Sequence, residues 1–154
     1  MNNQEAILSR RQTSRDWTLS SILLATAGAS LVLSGFYFLF LRPPLLPEDI
    51  RYMGLSENQL VAVAPKLETW LAQVFRVMGG YVLATGVLTI TLALTAYRTH
   101  QRGAGVGAFA GGAASIGLMA AVNFAINSDF KWVLLAIALV WLSSLCVFWF
   151  EASR

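Results

Sequence analysis

Four long apolar stretches limit what this chain of 154 residues can fold into. They cover residues 17–41, 70–97, 103–126 and 132–150, and Arg76 is the only Asp, Glu, Lys, Arg or His inside them. Each stretch can cross a bilayer as a helix, because a helix rises about 1.5 Å per residue and roughly 20 residues cover a hydrocarbon core of ~30 Å. The sequence therefore predicts an all-α fold, a four-transmembrane-helix antiparallel bundle that forms one integral membrane domain over residues 1–154.

Composition and charge exclude two broad classes. Hydrophobic residues make up 56% of the chain and charged residues 12%, whereas ordinary soluble domains carry roughly 25% charged residues. The net charge of +3 comes from scattered basic residues, and no predicted helix carries a basic stripe with interleaved aromatics. We therefore predict neither a water-soluble domain nor nucleic-acid binding, and we expect membrane lipids around the protein.

Basic residues in the short segments indicate the orientation, because Lys and Arg are retained on the cytoplasmic side. Arg10, Arg11 and Arg15 precede the first span, and Arg98 and Arg102 lie between the second and the third. On the opposite side, basic and acidic residues are mixed: Arg42, Arg51, Lys66 and Lys131 accompany Glu48, Asp49, Glu57, Glu68 and Asp129. The sequence thus predicts a multi-pass protein with both termini in the cytoplasm.

The basic tail and first apolar stretch also resemble a secretory signal, with Ala25 and Ala27 spaced like a small-residue cleavage site. A cleaved signal has an apolar region of only about 7 to 15 residues. This stretch continues through Leu31 to Leu41, so we expect an uncleaved first helix.

Small residues recur along three of the spans at spacings that let helix backbones approach closely. In the first two spans they recur every seven residues, at Ser21, Gly28 and Gly35 and at Ala72, Gly79, Gly86 and Ala93. In the third span the repeat is four residues, a doubled GxxxG pattern, at Gly103, Gly107, Gly111 and Ser115. Two interpretations remain open: a compact monomeric bundle, or a homo-oligomer or partner membrane protein joined through Gly103, Gly107 and Gly111.

Residues 42–69 form the only sizeable segment between predicted spans. Its turn signals are Pro43, Pro44, Pro47 and Gly54, followed by the capping-box pair Ser56 and Gln59. Proline ends one helix and suits the first turn of the next, and glycine suits the end of a helix. We predict a short helical extracytoplasmic cap at the membrane interface, either rigidly packed or able to move.

Arg76 is the residue around which a ligand-binding site can be predicted. An arginine inside a span is costly unless it finds partners or reaches the head groups, and Arg76 shares a helix side with Gly80 and Leu83. An outward-opening polar pocket is therefore predicted from seven residues: Arg76, Asn123, Asn127, Tyr81, Gln73, Glu68 and Asp129. It would bind an anionic head group or a small polar ligand. The alternatives are a purely structural cluster and an arginine that snorkels to lipid phosphates.

Cysteine and histidine usage leaves little room for redox or metal chemistry. The chain has one cysteine, Cys146 in the fourth span, and one histidine, His100 in a loop. A disulfide and a haem with two axial histidines each need a second such residue. We therefore predict no metal or cofactor site, no catalytic residue, and a packing role for Cys146.

The segment from Arg76 to Gly86 has the pattern R-x-x-G-G-x-x-L-x-x-G. It resembles a signature at the start of the second helix in a family of small bacterial four-helix membrane proteins of unknown function, distantly similar to the DoxX-like proteins. The likeness extends to the four-span layout, the proline-bearing first loop and an acid after the last span, here Glu151. Asn123 and Asn127 stand where the family pattern carries an arginine. The resemblance implies a four-helix fold and a bacterial inner (plasma) membrane location, and it brings no established activity with it.

Three function classes can be compared on these grounds. A small multidrug-type transporter needs a membrane-embedded acid, which none of the four predicted spans contains. An enzyme needs a nucleophile, base or metal site, and hydroxyls such as those of Ser143 and Ser144 have no His or acid beside them in sequence. The sequence therefore favours a non-enzymatic accessory or scaffold subunit, or a lipid or small-ligand binder. A transporter and a membrane-embedded enzyme are the alternatives.

Overall fold

The computed structural model describes residues 17–54 and 56–154. Within these ranges the chain forms six helices and no strand. The helices are α1 (Leu19–Leu41), α2 (Pro47–Met53), α3 (Glu57–Val63), α4 (Leu67–Tyr97), α5 (Arg102–Ala125) and α6 (Lys131–Ala152). Arg10, Arg11 and Arg15, on which the predicted orientation partly depends, lie outside the described residues.

Four helices, α1, α4, α5 and α6, are long and apolar enough to cross a membrane. Exposed tryptophans lie at or next to helix ends: Trp17, Trp70, Trp132 and Trp149. Tryptophan is enriched at membrane–water interfaces because its ring is largely apolar while its N–H is polar. The prediction of an all-helical, multi-pass membrane protein is confirmed.

Two local features differ from the prediction. Helix α4 begins at Leu67 rather than at Trp70, because Glu68 interrupts the apolar pattern yet suits the first turn of a helix, where the helix dipole is positive. Three spans also contain π-helical segments, whose wider turns the apolar pattern does not reveal. These segments are Tyr37–Leu41, Ala93–Tyr97 and Ala113–Gly117.

Helix α1 packs extensively on both α4 and α6. Glycines allow the contact with α4: a Cβ at Gly28 would lie 3.1 Å from the carbonyl oxygen of Gly86, and one at Gly35 would lie 2.6 Å from the backbone nitrogen of Leu83. A side chain at either position would force the two helices apart. The prediction that the seven-residue stripes of the first two spans allow close backbone approach is confirmed.

Helix α5 packs mainly against α6 and makes little contact with α4. Two aromatic residues of α6 fill the space beside glycines of α5. A Cβ at Gly105 would lie 2.5 Å from Cε1 of Phe148, and the indole of Trp141 occupies the space beside Gly112. The pairing of glycine with a large ring fixes α5 on α6.

The segment between α1 and α4 follows its predicted turn signals and forms α2 and α3. Gly54 ends α2 with a φ of 67°, and Ser56 and Gln59 cap α3 reciprocally. Glu48 of α2 is buried, and its Oε1 accepts a hydrogen bond from Oγ of Ser128 at 3.2 Å. This contact joins α2 to the connection between α5 and α6.

Candidate functional site

Arg76 faces away from the other helices, contrary to the prediction. It is exposed, and its one hydrogen bond among the described residues is a long one, 3.4 Å from Nη1 to Oε1 of Gln73. Asn123 instead donates to the carbonyl oxygen of Met119 on its own helix at 2.9 Å, and Tyr81 is 73% exposed. The predicted pocket does not form around Arg76, because α5 packs mainly against α6 and leaves this face of α4 uncovered.

The remaining predicted site residues lie in two other places. Asp129 pairs with Arg51 of α2, with 3.1 Å between Oδ1 and Nη2, and the same guanidinium donates to the backbone carbonyl oxygen of Asn127 at 3.4 Å. The side chain of Asn127 also accepts a hydrogen bond from Lys131. Glu68 lines a separate cavity beside residues 44–50. Whether any of these residues binds a ligand stays a prediction.

The α5 glycine strip, which consists of Gly103, Gly107 and Gly111, is exposed. A Cβ built on any of the three would meet no atom within 4 Å. The contacts of α5 with α6 use neighbouring small residues instead, such as Gly105 and Gly112. The doubled GxxxG pattern is therefore not used for packing within the described chain.

A groove of about 220 Å³ lies beside the α5 glycine strip, between α4 and α5. Thr85 and Thr89 of α4 line one wall, Gly107 and Gly111 line the other, and Trp141 of α6 also contributes. Both threonine hydroxyls donate to carbonyl oxygens one turn earlier on α4, each at 2.8 Å. Because both hydroxyl hydrogens already form hydrogen bonds within α4, the wall formed by this helix offers mainly methyl groups and aliphatic carbon to an occupant of the groove.

A polar link joins the start of α1, the connection between α4 and α5, and the end of α6. Oγ of Ser20 donates to Oε2 of Glu151 at 2.5 Å, and Nε2 of His100 lies 3.1 Å from the same oxygen. Oγ of Ser144 donates to the backbone carbonyl oxygen of Ser20 at 2.9 Å, and the hydroxyl of Tyr97 lies 2.9 Å from Oγ of Ser144. We refer to these five residues as the polar link.

The geometry of the polar link is that of a structural contact. In a serine and histidine pair the imidazole contacts the hydroxyl, whereas here the hydroxyl of Ser20 and the imidazole of His100 both contact the carboxylate of Glu151. Ser20 is also fully buried, so its hydroxyl is closed to a substrate. Elsewhere in the described chain, no group of three or more His, Cys, Asp or Glu side chains could hold a metal ion.

The polar link was not predicted from the sequence because its members are far apart in the chain. Ser20 and Glu151 are separated by 131 positions, and Ser20 belongs to no motif. The available signal was their shared place at predicted cytoplasmic ends of spans, together with His100. That signal indicates only that these residues lie on one side of the membrane. Whether particular side chains touch depends on how α1 packs against α6.

Cys146 is exposed on α6, so its predicted packing role is wrong. The buried face of α6 instead carries neighbours of the cysteine, including Ser144, Leu145 and Phe148. Helix α6 is apolar on all sides, so its sequence does not reveal which residues face inward.

Comparison of the chain with known proteins adds no identification. No protein-family model matches it, and no curated protein or solved structure matches it. The resemblance to the small bacterial four-helix family, which is distantly similar to the DoxX-like proteins, therefore stays a prediction.

Proposed function

We propose that this is a non-enzymatic scaffold protein of the membrane, which assembles with a second copy of itself through the α5 glycine strip. The observation that carries the proposal is the open face of Gly103, Gly107 and Gly111, where an added Cβ would meet no atom within 4 Å. Each glycine costs a helix about 1 kcal/mol relative to alanine. Close approach of a second helix offsets that cost, and the described chain makes no such approach at this strip.

The groove beside the strip supports the same proposal. A helix that crosses α5 at Gly107 would also reach the groove wall formed by Thr85, Leu88 and Thr89 of α4. In lipid, burial of apolar surface alone brings little gain, because the acyl chains are as apolar as the side chains. Close packing is what stabilises such a contact, and a small-residue strip beside a shallow groove permits it.

The scaffold would have four antiparallel spans, with α2 and α3 as a cap over one end. Two contacts support this arrangement: Ser20 at the start of α1 reaches Glu151 at the end of α6, and Glu48 of α2 reaches Ser128 between α5 and α6. The basic connection between α4 and α5 favours the cytoplasm for the end that carries the polar link. We extend the proposal to the inner membrane of a bacterium on the DoxX-like resemblance alone.

The oligomeric state in lipid nanodiscs or native membranes tests the proposal. We expect a dimer for the natural sequence and a shift to monomer for Gly107→Leu, because the leucine side chain would separate the two backbones. Val106→Leu is the matched control, since Val106 is 58% exposed on the same helix but lies outside the strip. A monomer for the natural sequence at every protein-to-lipid ratio would overturn the proposal.

A further inference from the structure

A second cavity lies outside the membrane-embedded groove, beside the segment that joins α1 to α4. It has a volume of about 460 Å³ and is lined by Pro44, Leu45, Pro47, Ile50 and Glu68, which we call the Glu68 cavity. This volume is within the range of small-molecule sites, roughly 300 to 1,000 Å³. Four of the five lining residues are apolar and one is a carboxylate, so the cavity suits a ligand with an apolar part and a polar end.

The Glu68 cavity is level with the start of α4, where a membrane surface is expected. Glu68 stands in the first turn of this span, and Trp70, two residues later, is 61% exposed. An exposed tryptophan at a helix end marks the depth of the lipid head groups. Amphiphiles of the membrane are therefore the molecules nearest to the cavity.

Two arginines of the segment between α1 and α4, Arg42 and Arg51, already have partners. The guanidinium of Arg42 is 2.9 Å from Asp49 and lies over the ring of Phe75 at 3.5 Å. Arg51 pairs with Asp129 at 3.1 Å.

The carboxylate of Glu68, in contrast, makes no ion pair with any described residue, including Lys66 two positions earlier. Glu68 lies in the first turn of α4. Glu68 is exposed, and its carboxylate, without a protein cation against it, is open to a cationic ligand that also contacts the apolar lining of the cavity.

We propose that the Glu68 cavity binds the ammonium group of a membrane amphiphile. The carboxylate of Glu68 would accept hydrogen bonds from the ammonium, while Leu45 and Ile50 would contact the carbon atoms beside it. The chemistry fits two sources, the head group of an aminophospholipid and a free long-chain amine. The site is independent of the α5 glycine strip, so it stands whether or not the protein forms a dimer.

Native mass spectrometry of the purified protein, with thermal unfolding in detergent, tests this proposal. The probes are phosphatidylethanolamine, phosphatidylglycerol with the same acyl chains, and dodecylamine. We expect phosphatidylethanolamine to be retained and to raise the unfolding temperature, and phosphatidylglycerol to do neither. Equal binding of dodecylamine would assign the site to ammonium groups in general, and its failure to bind would assign the site to the phospholipid; both results support the proposal.

Variants show whether Glu68 is responsible. Glu68→Gln should weaken phosphatidylethanolamine binding roughly tenfold, since a charge-assisted hydrogen bond is lost. Asp129→Asn is the matched control, because Asp129 belongs to the same side of the protein but pairs with Arg51. Leu45→Trp, which fills the cavity and keeps the carboxylate, should also reduce binding. Equal retention of phosphatidylglycerol, or unchanged binding by Glu68→Gln, would overturn the proposal.

Discussion

Trp141 of α6 lies against Gly112 of α5, and its indole occupies the space that a Cβ at residue 112 would need. The indole N–H donates to the carbonyl oxygen of Ala108 at 3.0 Å, which fixes the orientation of the ring. Gly111, the preceding residue, would meet no atom within 4 Å if it carried a Cβ. Two consecutive glycines therefore serve different surfaces: Gly112 packs α5 on α6, and Gly111 belongs to the open strip.

Alanine substitutions at these two glycines should have different effects on the stability of the monomer. We expect Gly112→Ala to lower the free energy of unfolding by about 1 to 3 kcal/mol, because the added methyl group overlaps Trp141. Gly111→Ala should leave it unchanged or raise it by up to about 1 kcal/mol, because alanine favours the helix. The measurement is SDS titration in mixed micelles at a dilution that keeps the protein monomeric. Equal losses for the two variants would contradict the packing of α5 on α6.

The polar link should contribute measurably to stability. Ser20→Ala removes the hydrogen bond to Glu151, and we expect the free energy of unfolding to fall by about 1 to 2 kcal/mol. Ser153→Ala is the control, because Ser153 is exposed and donates only to the carbonyl oxygen of Phe150 nearby. Its effect should stay within about 0.5 kcal/mol. A Ser20→Ala variant as stable as the control would show that α1 and α6 do not depend on this contact.

Arg76 should tolerate replacement in the isolated protein. It is exposed and makes one long hydrogen bond, so Arg76→Leu should change the free energy of unfolding by less than about 0.5 kcal/mol. Arg42→Leu offers the contrast, since Arg42 pairs with Asp49 and stacks on Phe75. A large loss of stability for Arg76→Leu alone would restore the buried pocket predicted from the sequence.

Features set by local pattern could be predicted from the sequence. The apolar stretches predicted the four spans, the seven-residue repeats predicted close backbone approach of the kind seen between Gly28 and Gly86, and Gly54 predicted the end of α2. Each of these depends on residues close together or on one repeated spacing. Such signals are present in a single sequence.

The candidate site could not be predicted, because it depends on which helices are neighbours. Asn123 and Arg76 were expected at the same depth, and depth alone does not bring two helices into contact. Helix α5 packs on α6 because the ring of Phe148 fits beside Gly105, a relationship between residues far apart in the chain. The π-helical segments further change which side chains face inward, and the apolar pattern carries no signal for them.

Disulfide cross-linking tests assembly through the α5 glycine strip most directly. Cys146 is exposed and would form cross-links of its own, so the measurement uses Gly107→Cys in a Cys146→Ser background, oxidised in native membranes. Backbones that meet at a glycine strip bring the Cα atoms within disulfide range, about 4.4 to 6.8 Å. We predict a covalent dimer for Gly107→Cys and little or none for Val106→Cys in the same background. Equal cross-linking at both positions, or none at residue 107, would contradict assembly through this strip.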